Sequence, residues 1–281
     1  MSSRRTCISA LLALLATVAG KGAAQDAPGR GQVLLATTTS LAETGLLDSL
    51  APLFRAATGW ELRAIAVGSG QALRMGERGD ADVVLAHAPA AEEAFMAAGH
   101  GVRRRVVASN YFTIAGPAED RARVRSAPTA EAALERIAEA DAVFVSRGDS
   151  SGTHQRELAL WRTAGGRPAW HGYLETGQGM SITLLVADER QGYTLTDLAT
   201  YGALRRRLGL VALRAREPAL LNVYHVIELN PEGRPRLNAE GARAFADFLV
   251  SPPVQDLLDG FGLAQYGAPL FTPARGVQPQ H

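Results

Sequence analysis

The sequence predicts an α/β protein folded as two lobes, each a mostly parallel sheet flanked by helices, with a cleft between them. Three observations predict it. Strand-like apolar runs alternate with helix-like segments along the chain, the pattern of parallel sheets covered by helices. Two long apolar strands, at residues 106–115 and 223–229, have the length to cross from one lobe to the other and return. Glycine- and hydroxyl-rich turns recur where strand gives way to helix, the edge at which such sheets present ligand sites. The crossings divide the chain into a first lobe of residues 25–111 and 226–281 and a second of residues 112–225. There is no repeat of 20–50 residues and no low-complexity segment.

The first 24 residues stand apart. Arg4 and Arg5 precede the apolar run ALLALLATVA at 10–19, which is too short for a bilayer span. Small residues follow, with cleavage expected after Ala19 or Ala24, so the segment reads as a secretory signal peptide and the product as periplasmic. The formal charge of the 281-residue chain is +1; without Arg4, Arg5 and Lys21 it becomes −2, no footprint for nucleic acid. Cys7 is the single cysteine and leaves with the signal, so no disulfide or thiol chemistry is expected. At 47% hydrophobic and 20% charged the chain has ample material for a core. It is expected to act as a monomer.

In order, residues 33–36 (VLLA) form a strand running into Thr37-Thr38-Thr39-Ser40. Apolar residues at 46, 47, 50, 53, 54 and 57 trace one face of a helix that Gly59 closes. A second strand at 60–67 is broken by Gly68-Ser69-Gly70, with a helix over 71–78. A third strand occupies 81–86, and Pro89 opens the next helix. Arg103, Arg104 and Arg105 read as a solvated turn. Thr129 caps a helix over 130–138. Residues 142–145 (AVFV) form a short buried strand, 146–153 are a polar turn and 155–164 a helix with Trp161 in the core. A helix near 180–190 follows Gly177-Gln178-Gly179, then strands at 193–195 and 208–213. Asn238 caps a helix over 239–250, Pro252 starts a last one, and residues after Thr272 look like tail.

Four of the turns share one chemistry: 37–40, 68–70, 147–153 and 177–183. Each brings hydroxyls, helix-start amides or both. Helix N-termini carry partial positive charge and free N–H groups, glycines admit close backbone approach, and hydroxyls add directional donors. Arg147 adds a permanently charged fork of donors. Together they suit a small multivalent anion. The six histidines show no metal-ligand spacing, so no cation site is expected; His87 and His154 read as structural or at the rim. Gly148-Asp149-Ser150-Ser151-Gly152 also matches the G-x-S-x-G of a serine hydrolase, with Asp188 or Asp197 and His225 completing the order. His225 lies inside an apolar strand rather than on a loop, which disfavours that alternative. No enzyme activity and no cofactor is expected.

The segments ATTTSLAETGLLDSL, IAVGSGQALRMGERGDADVVLAHAPAAEEAF, FVSRGDSSGTHQRELALW, YLETGQGMSITL and YTLTDLATY resemble the tungstate-binding proteins of ABC-type oxyanion importers, within the type II periplasmic binding proteins. The resemblance runs from about residue 33 to about 258. It implies a Venus-flytrap fold, tungstate with molybdate as competitor in the cleft, and a membrane permease with its ATPase as partners. It places the ligand at Thr38, Thr39, Ser69, Arg147, Ser151, Gly152 and Thr153, with Ser181 in the fourth loop. The chain departs from the family pattern at Ser150, at Ser181-Ile182 and at Ala88, where the family commonly has an acid, Gly-Glu and Asp. Phosphate or sulfate is the alternative ligand.

Overall fold

A computed structural model describes residues 30–275; the expected signal peptide lies outside them. Strand β1 (Gly31–Thr38) leads into a short α1 (Thr39–Glu43) and then α2 (Leu46–Thr58). Leu46, Leu47, Leu50 and Phe54 bury one face of α2, and Gly59 ends it at φ 78° with its N–H returned to the Arg55 carbonyl. Leu53, on the edge of that stripe, is instead 45% exposed. Then come β2 (Trp60–Val67), α3 (Ser69–Arg78), β3 (Val83–Ala86), α4 (Pro89–Ala97) and the sixteen-residue β4 (Gly101–Gly116). Helix α3 begins at Ser69, two residues before the sequence suggested, so Ser69 and Gly70 form its first turn.

The middle of the chain supplies α5 (Ala130–Glu139), β5 (Phe144–Ser146), α6 (Gly152–Thr163), β6 (Tyr173–Glu175), α7 (Met180–Glu189), β7 (Thr194–Asp197), α8 (Leu198–Leu204) and β8 (Val211–Ala215). Thr129 caps α5 by accepting from the Ala132 N–H. Ser151 caps α6 through the His154 N–H, which starts that helix at Gly152 rather than Gln155. The return is made by β9 (Leu221–Leu229), followed by α9 (Ala239–Leu249) capped by Asn238, α10 (Pro252–Gly260), a short α11 (Leu263–Tyr266) and β10 (Thr272–Pro273). The end is not all tail: β10 pairs with β4.

Strand order in the larger sheet is β10-β4-β9-β3-β1-β2, with β7 and β8 joining the far end of β4; β5 and β6 form a separate pair. The β1–β2, β1–β3 and β5–β6 pairs are parallel. The long crossing strands add antiparallel pairs, β9 with β3 and β4, and β4 with β7 and β8, so the sheets are mixed.

Strand β4 serves both lobes. Its residues 101–111 pair with β9, and residues 112–116 with β7 and β8. Val107 and Ala108 enter a core with Val33, Leu35, Phe54, Phe245 and Leu258. Phe112 and Ile114 enter another with Leu134, Ile137, Phe144 and Trp161. Two cores threaded by one strand make a two-lobed molecule. The arginine triplet lies in β4, not in a solvated turn. Arg104 pairs with buried Glu92 at 2.9 Å, and Arg105 with Glu228 at 2.9 Å and Asp247 at 2.7 Å. An acid across the sheet and two on packed helices give these cations partners that the sequence order conceals.

Candidate functional site

The site begins with strand register. In the parallel β1–β2 pair Thr38 lies opposite Val67, so Thr39 and Gly68-Ser69 leave the sheet side by side. Thr38 caps α1, its hydroxyl accepting from the Leu41 N–H at 3.4 Å. From the other lobe, β5 ends at Ser146 and the loop 147–151 runs into α6. The two sides meet. A methyl group at Gly68 would lie 3.5 Å from Ser151 Cα, and one at Gly70 would lie 3.4 Å from the Ser150 carbonyl oxygen. One at Gly152 would come within 2.8 Å of the His87 ring and 2.9 Å of its carbonyl oxygen. The start of α6 thus abuts both the start of α3 and the end of β3.

Hydroxyl groups collect at this meeting. Among the described residues, three buried side-chain hydroxyls have no hydrogen-bond partner, and they are those of Thr39, Ser69 and Thr153. They come from three different turns and from both lobes. Buried polar groups are almost always satisfied, and leaving one unmade costs about 1–3 kcal/mol. Three donors left over on adjoining turns are free to donate to an acceptor-rich guest. Ser151 keeps its proton free as well, since its oxygen only accepts from His154 N at 3.3 Å.

Arg147 is buried, its side chain 4% exposed. Nη2 pairs with Asp149, and Nε donates to the Gln178 carbonyl at 3.2 Å. The other oxygen of Asp149 accepts from the Ser151 N–H at 3.1 Å. Asp149 therefore orients the guanidinium rather than standing free, and Nη1 makes no hydrogen bond among the described residues. A lower layer fixes the loop: the Ser146 hydroxyl accepts from Gly148 N and donates to Glu157, which also accepts from the Tyr173 hydroxyl at 2.7 Å. Burial pushes the Glu157 carboxyl above its ordinary value of 4.5, outweighing those two donors. A carboxyl raised on folding contributes stability below its unfolded pKa and loses it as pH rises through the folded one. Glu157→Gln should therefore gain stability relative to the wild type between pH 5 and pH 8, read by urea melts at both pH values.

His87 is not at the rim but beneath the site. Its Nδ1 lies 3.0 Å from Asn222 Oδ1 and its Nε2 3.2 Å from Ser40 Oγ. Desolvation holds it below the ordinary histidine range, so the ring is neutral and packs without adding charge. His154 accepts from the Ser150 N–H. Ser181 has a different partner from the other site residues: its hydroxyl donates to Glu43 at 2.7 Å, so it is not left over for a guest. His225 does not reach toward Ser150; its Nδ1 lies 2.8 Å from Glu92, beside Arg104. The Ser…Asp…His arrangement is accordingly not assembled around Ser150. No group of three or more His, Cys, Asp or Glu among the described residues is arranged to hold a metal ion.

A family model described as a PBP (periplasmic binding protein) superfamily domain matches residues 22–253. The chain belongs to the PBP superfamily. It is 43% identical over 275 residues to the tungstate-binding protein TupA of Peptoclostridium acidaminophilum, covering 95% of this chain and 96% of that one. Its fold is similar to the tungstate-binding protein TupA of Desulfovibrio alaskensis G20, with TM-score 0.73 and 43% identity over 89% of this chain and all of that one. The tungstate ABC transporter structure from Geobacter sulfurreducens gives TM-score 0.74 and 41% identity, over 82% and 98%. The sequence singled out Thr39, Ser69, Thr153 and Arg147, which the structure brings to adjoining turns, but not Glu43, His87 as the floor, or Glu157. An acid three residues beyond a TTTS turn and a histidine after a strand carry no local signal of what they touch.

Proposed function

We propose that this chain is an exported, monomeric solute-binding protein. It captures tungstate, with molybdate as competitor, and delivers it to the permease and ATPase of an ABC importer. The observation that carries the reading is the set of partnerless hydroxyls of Thr39, Ser69 and Thr153 beside an anchored, buried guanidinium. The names of the relatives supply the anion. In this reading the lobes are residues 25–111 with 226–281, and residues 112–225. Thr38, Ser151 and Gly152 complete the cage; Ser181 stands outside it.

The chemistry follows from the donor set. A tetrahedral dianion offers four oxygens that only accept, and hydroxyls, amides and Nη1 only need acceptors. Bonds to a charged partner are worth roughly 1.5–3 kcal/mol each and replace the anion's hydration shell. Both oxygens of Asp149 already accept, from Arg147 and from Ser151 N, so its carboxylate is turned to its own loop before a guest arrives. That favours a fully deprotonated oxyanion over phosphate.

A thermal-shift screen with tungstate, molybdate, sulfate and phosphate tests the proposal. Tungstate at a hundred times its Kd should add about 2.7 kcal/mol of stability by linkage, and phosphate little. An unchanged melting curve with all four overturns the reading. The hydroxyls give a finer check. Thr39→Val, Ser69→Ala and Thr153→Val should each lose about tenfold in affinity, one charge-assisted hydrogen bond, while the ligand-free melting temperature holds or rises because an unsatisfied buried group has gone. A fall in apo stability with affinity unchanged would mean these hydroxyls serve the fold.

A further inference from the structure

We propose that Glu43 is a positioning residue for anion capture, tying the lobe of α1 to the lobe of α7 so that closure does not depend on the anion alone. This rests on the cleft reading above for its coupling to the ligand. The contact itself is on the page. Glu43 closes the short helix that starts at the Thr38-Thr39 turn, and its Oε2 accepts from the Ser181 hydroxyl at 2.7 Å. Its Oε1 would lie 3.3 Å from a methyl group at Gly179, so the carboxylate sits over the first turn of α7.

Helix α7 has a vacancy for it. Its N-cap is Gly179, which has no side chain to cap with, and no acid occupies its first turn. A helix start without a local cap leaves N–H groups unpaired, and a hydrogen-bond acceptor from another element can satisfy them. Glu43 meets that need from 138 residues away in sequence. The same turn of α7 adjoins Gln178, whose carbonyl accepts from Arg147. The contact therefore braces the loop that orients the guanidinium on one side and the Thr39 turn on the other.

The charges around Glu43 explain why the contact does not lock. Arg147 draws its carboxyl toward ionisation and Asp197 opposes it, while desolvation between the helices outweighs the donors and raises its pKa. A side chain held against a desolvation cost makes a reversible tie. Because a hydrogen-bond acceptor rather than the charge makes the bridge, Glu43→Gln should preserve it.

The experiment is a double-mutant cycle on the full chain, with tungstate as the probe and dissociation followed by stopped flow. Glu43→Ala and Ser181→Ala should each weaken binding about five- to tenfold, mainly through faster dissociation. The double variant should be no weaker than the poorer single, and Glu43→Gln should stay within about twofold of wild type. Hydrogen exchange without ligand supplies an independent readout. Amides of residues 148–155, which Glu43 does not touch, should exchange faster in Glu43→Ala and Ser181→Ala but not in Glu43→Gln. Additive losses, wild-type dissociation in both singles, or unaltered exchange at 148–155 would overturn the proposal. Should wild type bind no oxyanion, the function reading fails, and the exchange measurement alone decides the role of Glu43.

Discussion

Arg147→Ala is expected to weaken tungstate binding by more than about a hundredfold, because breaking a buried charge pair leaves its partner uncompensated at a cost of about 3–5 kcal/mol. Two losses combine. The cage loses a buried positive charge, and the carboxylate of Asp149, now paired through Arg147 Nη2, is left facing a dianion. The guanidinium also ties the Gln178 carbonyl to Asp149, so the donors around it are held less firmly. Arg147→Lys should recover only part of the affinity, since an ammonium cannot hold Asp149 and Gln178 in one plane while donating to a third acceptor. Isothermal titration calorimetry reads both variants; wild-type affinity in Arg147→Ala would remove the arginine from the site.

Gly152→Ala is the second large effect, and it works through shape. An added Cβ would meet His87 Cε1 at 2.8 Å, Nδ1 at 2.9 Å and the His87 carbonyl oxygen at 2.9 Å. The ring cannot swing away cheaply: Asn222 and Ser40 hold its two nitrogens, and Tyr224 packs on it with centroids 4.9 Å apart. The contact lies between the lobes rather than inside either core, so relief comes from opening the cleft. We expect affinity to fall by more than about thirtyfold, in line with an overpacking cost of about 2 kcal/mol or more, while the ligand-free protein melts within a few degrees of wild type. Small-angle scattering with saturating anion should show the variant remaining open. A large drop in the apo melting temperature would instead place the clash inside the fold.

The comparison of sequence with structure shows which signals are local. Glycine caps, proline starts and Thr or Asn N-caps are written in neighbouring residues, so α2, α4, α5, α9 and α10 were legible to within a residue or two. The three hydroxyl turns were legible for the same reason, since strand, hydroxyl and helix follow one another in the chain. What failed depends on pairing across the chain. The arginines at 103–105 look like a turn until Glu92, Glu228 and Asp247 are brought to them. Ser181 looks like a ligand group until Glu43 claims its hydroxyl.

One measurement tests the central claim most directly: anomalous difference density at the tungsten edge, from crystals of the full chain grown with tungstate. The account predicts a single strong peak enclosed by Thr39, Ser69 and Thr153, with an oxygen of the anion on Arg147 Nη1. A peak elsewhere on the molecule, or none in crystals that diffract with the cleft closed, would contradict it.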